Sequence, residues 1–477
     1  MFSKIKIPHV FALLAFVIFV ASVFTYIIPS GTFEREEMQI GSLTRTVVIP
    51  GSYTSTPKNY SFQGFLFGES VDGKATPVSL LEMLSAIPRG LEQSADIIFF
   101  IFLIGGVFGI VKRTGTITAV IQKLIDKFSN SGPMLTIMLM LIISAAGSTL
   151  GMAEEFIPLI PVFLYVSHKL GYDKIYGVAL VFVSAEIGFA SATTNPFNVQ
   201  IAQGIAEVPL GSGIGFRLIF YAVILTATII YMLRYAKRLK KDFSNSYLDE
   251  DNVYIEDSKL EHFDLNKTHL RILGVCSALF IGILWAVQTQ GWWMAEMGAG
   301  FLLIGIVAAA IGKLSVNDTT KAFVVGMEEM IVGALVVGFA RGIQVVLVDG
   351  QIMDSIIFNA SNILQYFPKI VAAEGMLIFQ AFLNFFIPSG SGQAATTIPL
   401  MAPLADLLGI TRQTAIFAFT CGDGFANTII PTSGILMAML GIAEIPFKQW
   451  LKFMLPLFGW LMAISAIFLA VAVLIEY

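Results

Sequence analysis

Apolar runs near the roughly 20 residues that cross a bilayer as one helix recur along the chain, at 10–28, 97–111, 133–147, 175–190, 213–234, 270–289, 298–312, 322–348, 370–387, 413–421 and 451–475. Glycine, proline and small polar residues break several of them, so clean spans alternate with interrupted ones. Of the 477 residues, 56% are hydrophobic and 13% charged, against roughly 25% charged in a soluble domain. A soluble fold is excluded, and an all-α polytopic membrane protein is expected.

The first run follows Lys4 and Lys6 as a secretory signal would, yet Tyr26-Ile-Ile-Pro29 offers no small-residue cleavage site, so a retained first helix is expected. A second basic cluster, Lys237, Arg238, Lys240 and Lys241, follows the run ending near Arg234. The positive-inside rule puts both clusters, and the amino terminus, on the cytoplasmic face of a bacterial inner membrane. Residues 30–75 are then external. The segment 236–268 turns from basic to acidic through Asp249-Glu-Asp251 and Glu256-Asp257 and reads as a cytoplasmic linker. Cys276 and Cys421 are far apart in apolar sequence and read as packing residues. His9, His168, His262 and His269 show no ligand spacing and read as solvated or interfacial.

Internal repetition adds the most. Gly204-Ile-Ala-Glu-Val-Pro209 returns as Gly441-Ile-Ala-Glu-Ile-Pro446, Gly188-Phe-Ala190 as Gly424-Phe-Ala426, and Thr114-Gly-Thr-Ile117 opposite Asp349-Gly-Gln-Ile352. Gly90-Leu-Glu-Gln93 faces Gly326-Met-Glu-Glu329, and Gly151 with Ile157-Pro-Leu159 faces Gly392 with Ile398-Pro-Leu400. These matches keep their order at a spacing of about 235–241 residues. The expected organisation is a first helix and external loop (1–75), a first repeat (76–235), the linker (236–268), two scaffold helices (269–311) and a second repeat (312–477). One helix precedes the first repeat and two precede the second, so the repeats should be inverted, each with a re-entrant hairpin and a broken helix.

In such folds a midplane site is built by discontinuous helices whose free N–H and C=O groups are shielded from lipid. The hairpin candidates are Gly147 to Pro158, carrying Glu154 and Glu155, and Pro388 to Pro399, carrying Ser389, Gly390, Ser391 and Gly392. The broken-helix candidates are Glu186 to Asn198, with Thr193, Thr194, Asn195 and Asn198, and Asp423 to Gly434, with Asn427, Thr432 and Ser433. Pro196 and Pro431 each remove a donor, and the nearby hydroxyl and amide oxygens suit an alkali cation, a carboxylate or an amino-acid backbone. A coupling sodium would sit near Asn195 and Thr432. The ionisable residues beside these segments are all acidic, which favours a cationic or zwitterionic substrate. Glu154 and Glu155 fall opposite Ala395 and Thr396 and so break the repeat symmetry. Glu207 and Glu444 read as helix-end residues. Arg341, read as the only basic residue deep in an apolar run, either pairs with Glu328, Glu329 or Asp349 or meets a substrate carboxylate. Gly105-Gly-Val-Phe-Gly109 reads as a helix-packing face, and no phosphate loop marks a primary pump.

These residues resemble the ion-transporter superfamily and, within it, the YfcC-type family of basic amino acid antiporters related to arginine/ornithine exchangers. The resemblance rests on Ile-Pro-His-Val10, Thr-Thr-Asn-Pro-Phe-Asn198, Ile-Pro-Ser-Gly-Ser-Gly-Gln393 and Cys-Gly-Asp-Gly-Phe-Ala-Asn-Thr428, and it spans nearly the whole chain. It implies a homodimer whose scaffold helices form the interface while a hairpin-bearing transport unit moves as an elevator. Four-carbon dicarboxylate carriers belong to the same superfamily.

The expected function is therefore a secondary carrier of basic amino acids, with an organic-anion symporter such as a C4-dicarboxylate carrier as the alternative. A channel would also use re-entrant segments, and an enzyme would need a nucleophile–base pair that the sequence does not show. No catalytic residue or cofactor is expected beyond a coupling sodium ion or proton. The expected partners are a small-molecule substrate, the bilayer and a second copy of the chain, with no nucleic acid and no ATP.

Overall fold

The structure, a computed structural model, describes residues 10–40, 43–120, 123, 132–248, 265–290, 292 and 294–477. Lys4, Lys6, Ile7, Pro8, His9, His262 and the acidic residues Asp249, Glu250, Asp251, Glu256 and Asp257 lie outside these, and with them part of the orientation, linker and resemblance readings.

Helix α1 (Val10–Ile27) precedes four short strands, β1 (Ser30–Thr32), β2 (Arg35–Ile40), β3 (Leu43–Val48) and β4 (Thr54–Thr56), and a short helix α2 (Phe62–Phe67). Then come α3 (Leu80–Gln93), α4 (Ala95–Arg113), α5 (Gly132–Leu150), a 3-10 turn (Glu154–Leu159), α6 (Ile160–Lys169), α7 (Lys174–Ala190), a π-helical turn (Pro196–Gln200), α8 (Ile201–Ile205) and α9 (Ile214–Lys241). Helices α10 (Lys267–Gln290) and α11 (Met294–Ile311) lead into α12 (Val316–Glu328), α13 (Ile331–Asp349), α14 (Met353–Leu364), α15 (Lys369–Asn384), α16 (Gly390–Leu408), α17 (Arg412–Ala426), α18 (Gly434–Ala443) and α19 (Phe447–Leu474). Among the described residues six helices, α4, α5, α9, α11, α13 and α19, are long and apolar enough to cross a membrane.

Two expectations need correction. The fold is not all helix: β1 pairs antiparallel with β4 and β2 with β3, and the Thr and Val residues of β3 and the threonines of β4 favour extended backbone. Asp354 of α14 ties this segment down, pairing with Arg35 at 2.7 Å and accepting the Phe33 N–H at 2.9 Å. The run 322–348 is also not one helix, because it breaks between α12 and α13 at Glu329, whose carboxylate meets Lys112 at 2.9 Å. The cysteines are free, with Cys421 buried. His269 is buried at 5% exposure rather than solvated.

Helices α7 and α17 are buried along nearly their whole length, as befits helices that are apolar on every side. Each begins with a side-chain cap: Asp173 accepts the Tyr176 N–H at 2.8 Å, and Thr411 accepts the Thr414 N–H at 3.2 Å. They pack on each other, with α5 and α6 against α7 and α15 and α16 against α17. Around this pair α3 lies on α13 and α4 lies on α12. A Cβ on Gly90 would strike the backbone of Gly338 and Gly342, and a Cβ on Gly326 would strike that of Gly105 and Gly109. Small residues thus bring the backbones together, and Gly105 and Gly109 form the packing face their spacing suggests. The same helix pairs carry the ion pairs Arg89–Asp349 and Lys112–Glu329.

Glu207 and Glu444 stand at helix ends, as read, with φ of 56° and 55°. The next residue closes each turn alike: the Val208 N–H donates to the Gln203 carbonyl at 2.8 Å and the Ile445 N–H to the Leu440 carbonyl at 2.9 Å.

Replacing Gly326 by leucine should cost about 1–3 kcal/mol, because the backbone across from it cannot yield. Gly274 has nothing within 4 Å of its Cβ position, so Gly274→Leu serves as the control. Thermal unfolding of both purified variants is the measurement, and equal midpoints would refute the backbone contact as a stability determinant.

Candidate functional site

Helix α7 ends at Ala190 and the chain passes through Ser191 to Asn195 before Pro196; α17 ends at Ala426 and the chain reaches Pro431 before α18 begins. Carbonyls freed at such breaks need donors away from water. In the first break Arg217 Nη1 donates to the Ala192 carbonyl at 3.3 Å and to Thr420 Oγ1 at 3.2 Å. In the second, Trp450 Nε1 donates to the Thr428 carbonyl at 2.8 Å. Arg217 is 1% exposed, so Arg341 is not the only basic residue deep in an apolar run. Its place in the first turn of α9, at the edge of run 213–234, hid it.

Thr193 and Thr194 of the first broken segment bond the end of α5. The Thr193 N–H donates to the Ser148 carbonyl at 3.0 Å, Thr193 Oγ1 donates to the same carbonyl at 3.3 Å, and Thr194 Oγ1 donates to the Thr149 carbonyl at 3.3 Å. Asn195 Oδ1 accepts the Phe197 N–H at 2.8 Å, and Asn198 Nδ2 donates to the Phe189 carbonyl at 2.7 Å. Gly151, at φ 73°, turns the chain after α5 where a Cβ would strike Asn195 and Phe197; glycine meets both demands.

A polar chain joins the two halves. Glu186, 1% exposed, accepts from Asn427 Nδ2 at 3.2 Å, while Asn427 Oδ1 accepts from Asn384 Nδ2 at 2.8 Å. Asn384 Nδ2 also donates to the Asp423 carbonyl at 2.7 Å. Asp423 is fully buried, and neither carboxylate oxygen nor Asn384 Oδ1 has a hydrogen-bond partner. Gly390, opening α16, sits where a Cβ would lie 3.2 Å from Asp423 Oδ2 and 3.4 Å from Asn198. Asn384 escaped the sequence reading; its signal was an amide about one turn before the Ile387-Pro-Ser motif, inside run 370–387.

Beside this chain lies a cavity of about 300 Å³. Glu154, Glu155, Glu186, Ser389, Gly390, Ser391 and Asn427 line it, together with Gln93, Asp96 and Arg341, and α10 and α11 add an apolar wall through Phe280, Ile283, Met294, Met297 and Phe301. A smaller cavity of about 80 Å³ adjoins it, sharing Ile97, Glu154, Arg341, Pro388, Asn427 and Ile435 and adding Thr432 and Ser433. Thr193, Thr194, Asn195, Asn198, Gly392 and Asp423 line neither of these two cavities; Gly392 gives its N–H to Ser389 Oγ at 3.3 Å. Arg341 is not held in a structural ion pair with the acids named for it. Asp349 pairs with Arg89 and Glu329 with Lys112, while Arg341 donates to Gln344. The sequence reading also missed Asp96, whose place close to Gln93 was its signal.

YfcC of Escherichia coli, provisionally named a basic amino acid antiporter, is 34% identical over 98% of this chain and 97% of its own length. An uncharacterised protein of Haemophilus influenzae is 31% identical over 91% of this chain and 83% of its own. Two solved structures align at low similarity: the YdaH transporter of Alcanivorax borkumensis (16% identity, TM-score 0.46, 98% of this chain and 99% of that one) and MtrF of Neisseria gonorrhoeae (17%, TM-score 0.43, 99% and 96%), described among antimetabolite efflux pumps. The family model described as C4-dicarboxylate anaerobic carrier (DcuC) matches residues 7–474. With several helices able to span a bilayer around a charged internal cavity, the chain is a multipass membrane transporter of the DcuC family.

Proposed function

We propose that this transporter carries basic amino acids of the arginine, ornithine and lysine class, as an antiporter or ion-coupled carrier working by alternating access across the bacterial inner membrane. One observation carries the reading: the larger cavity sets four carboxylates, Asp96, Glu154, Glu155 and Glu186, against the single cation Arg341. Charge in an apolar surround needs a counter-charge, and an ammonium or guanidinium substrate supplies it. The provisional name of the Escherichia coli relative agrees.

The proposal includes two inverted repeats with re-entrant hairpins at 76–235 and 312–477. It is supported by the recurring element order, the crossed packing of α3 on α13 and α4 on α12, and the matching turns at Glu207 and Glu444. A cytoplasmic amino terminus, a homodimer and an elevator motion complete the proposal; the basic end of α9 supports the first, and the family resemblance supports the other two. A coupling proton or sodium ion fits Asp423 better than the space between Asn195 and Thr432. Asp423 keeps two buried oxygens without partners, whereas Asn195 Oδ1 already accepts an N–H.

A second reading, a C4-dicarboxylate carrier, is favoured by the family's description and by donors on the cavity wall: Arg341 and the start of α16 at Ser389, Gly390 and Ser391. Uptake of labelled arginine into proteoliposomes separates the two. Ornithine and lysine should compete and succinate and fumarate should not; the reverse pattern would replace the first reading with the second. In the same assay Glu186→Gln should weaken substrate at least about tenfold, the scale of one lost buried charge contact.

Asp423→Asn should abolish accumulation driven by a proton or sodium gradient while the protein still reaches the membrane. Accumulation at the wild-type level would remove Asp423 from the coupling role.

A further inference from the structure

The smaller cavity has a chemistry distinct from the acidic chamber it adjoins. Ser94 and Thr432 are fully buried, both line it, and both hydroxyls lack a hydrogen-bond partner. Each is a donor held away from water and left unused, a costly arrangement unless something accepts from it. Gly434 and Ile435, also on its wall, open the ten-residue helix α18, and the first N–H groups of a helix have no carbonyl within it to meet and carry its positive end. Arg341 reaches the same wall, and of the acids its sequence position suggested, Asp349 and Glu329 are paired elsewhere.

We infer that this annex is a carboxylate subsite, with Arg341 as the residue that makes a free carboxylate a condition of transport. The inference rests on the amino acid reading above and deepens it. Two hydroxyls, a helix start and a planar guanidinium converge on a space of about 80 Å³, a set of donors suited to the two oxygens of a carboxylate. Glu154 borders both cavities and so stands where the α-ammonium, one carbon away from the carboxylate, would lie. The side-chain cation then extends into the larger chamber toward Glu155 and Glu186. Each half of an α-amino acid meets the opposite charge, and a diamine without the carboxylate leaves Ser94 and Thr432 without an acceptor and Arg341 without a substrate counter-charge.

The probes are arginine and agmatine, which is arginine without its carboxylate, titrated calorimetrically into the purified full-length protein. The wild type should bind arginine at least about tenfold tighter than agmatine, the range of a charge-assisted hydrogen bond. Arg341→Gln and Thr432→Val should each lower the affinity for arginine toward that for agmatine and leave agmatine unchanged. Thr432→Ser, which keeps the hydroxyl, should restore the preference and show that the effect is not a folding defect. Equal affinity of the wild type for both probes, or equal weakening of both in Arg341→Gln, would overturn the subsite. Should the wild type bind neither probe but take succinate, the amino acid reading fails on its own. The subsite is then read from succinate against its monoamide: a preference lost in Arg341→Gln supports it, and a preference kept overturns it.

Discussion

The breaks in α7 and α17 are the constraint on which the rest of the structure depends. A helix interrupted in the middle of a membrane protein strands carbonyls that lipid cannot satisfy, at several kcal/mol per group. Here each break is met by a buried N–H from the long helix that follows in the same half: Arg217 at the start of α9 for Ala192, and Trp450 at the start of α19 for Thr428. Different side chains thus solve the same problem at matching places. Arg217 goes further, because its second contact, to Thr420, lies on the helix that carries Asp423, so one guanidinium ties the first break to α17.

With the breaks secured, glycine decides how closely the neighbouring segments can approach them. Gly151 seats the end of α5 against Asn195, and Gly390 seats the start of α16 against Asp423 and Asn198. The polar chain from Glu186 through Asn427 to Asn384 then runs across the contact between the halves. A rearrangement that opened one face of the cavity would have to move these groups together, since parting any pair leaves a buried polar atom without its partner.

Hydropathy and internal matches made the architecture legible. Apart from 322–348, which splits in two, each apolar run became a helix, and the duplicated Gly-Ile-Ala-Glu motif became two turns with the same hydrogen bonds. What escaped was anything decided by direction rather than position. The strands β1 to β4 carry no long alternating pattern, and the ion-pair partner of Glu329, at the break between α12 and α13, is a lysine more than 200 positions away. Thr193, Thr194 and Asn195 stood out in sequence because they interrupt a helix, and that interruption is what they serve, donating to carbonyls at the end of α5 instead of facing either cavity. Asn384 and Asp96 carry no motif of their own and became visible only when the fold brought them beside the acids.

Glu154 is where pattern and geometry meet. Its asymmetry between the halves marked it in sequence, since Ala395 and Thr396 occupy the matching places. In three dimensions it stands on the boundary between an acidic chamber and an annex of donors. A carboxylate there has a different consequence from one deeper in the chamber, because it lies within reach of both ends of a short dipolar molecule. A substrate with unlike ends needs a cavity with unlike ends. In the duplicated amino acid carrier proposed above, exact two-fold repetition of the wall residues would give both ends the same charge, and the departure from symmetry at Glu154 and Glu155 would remove that obstacle.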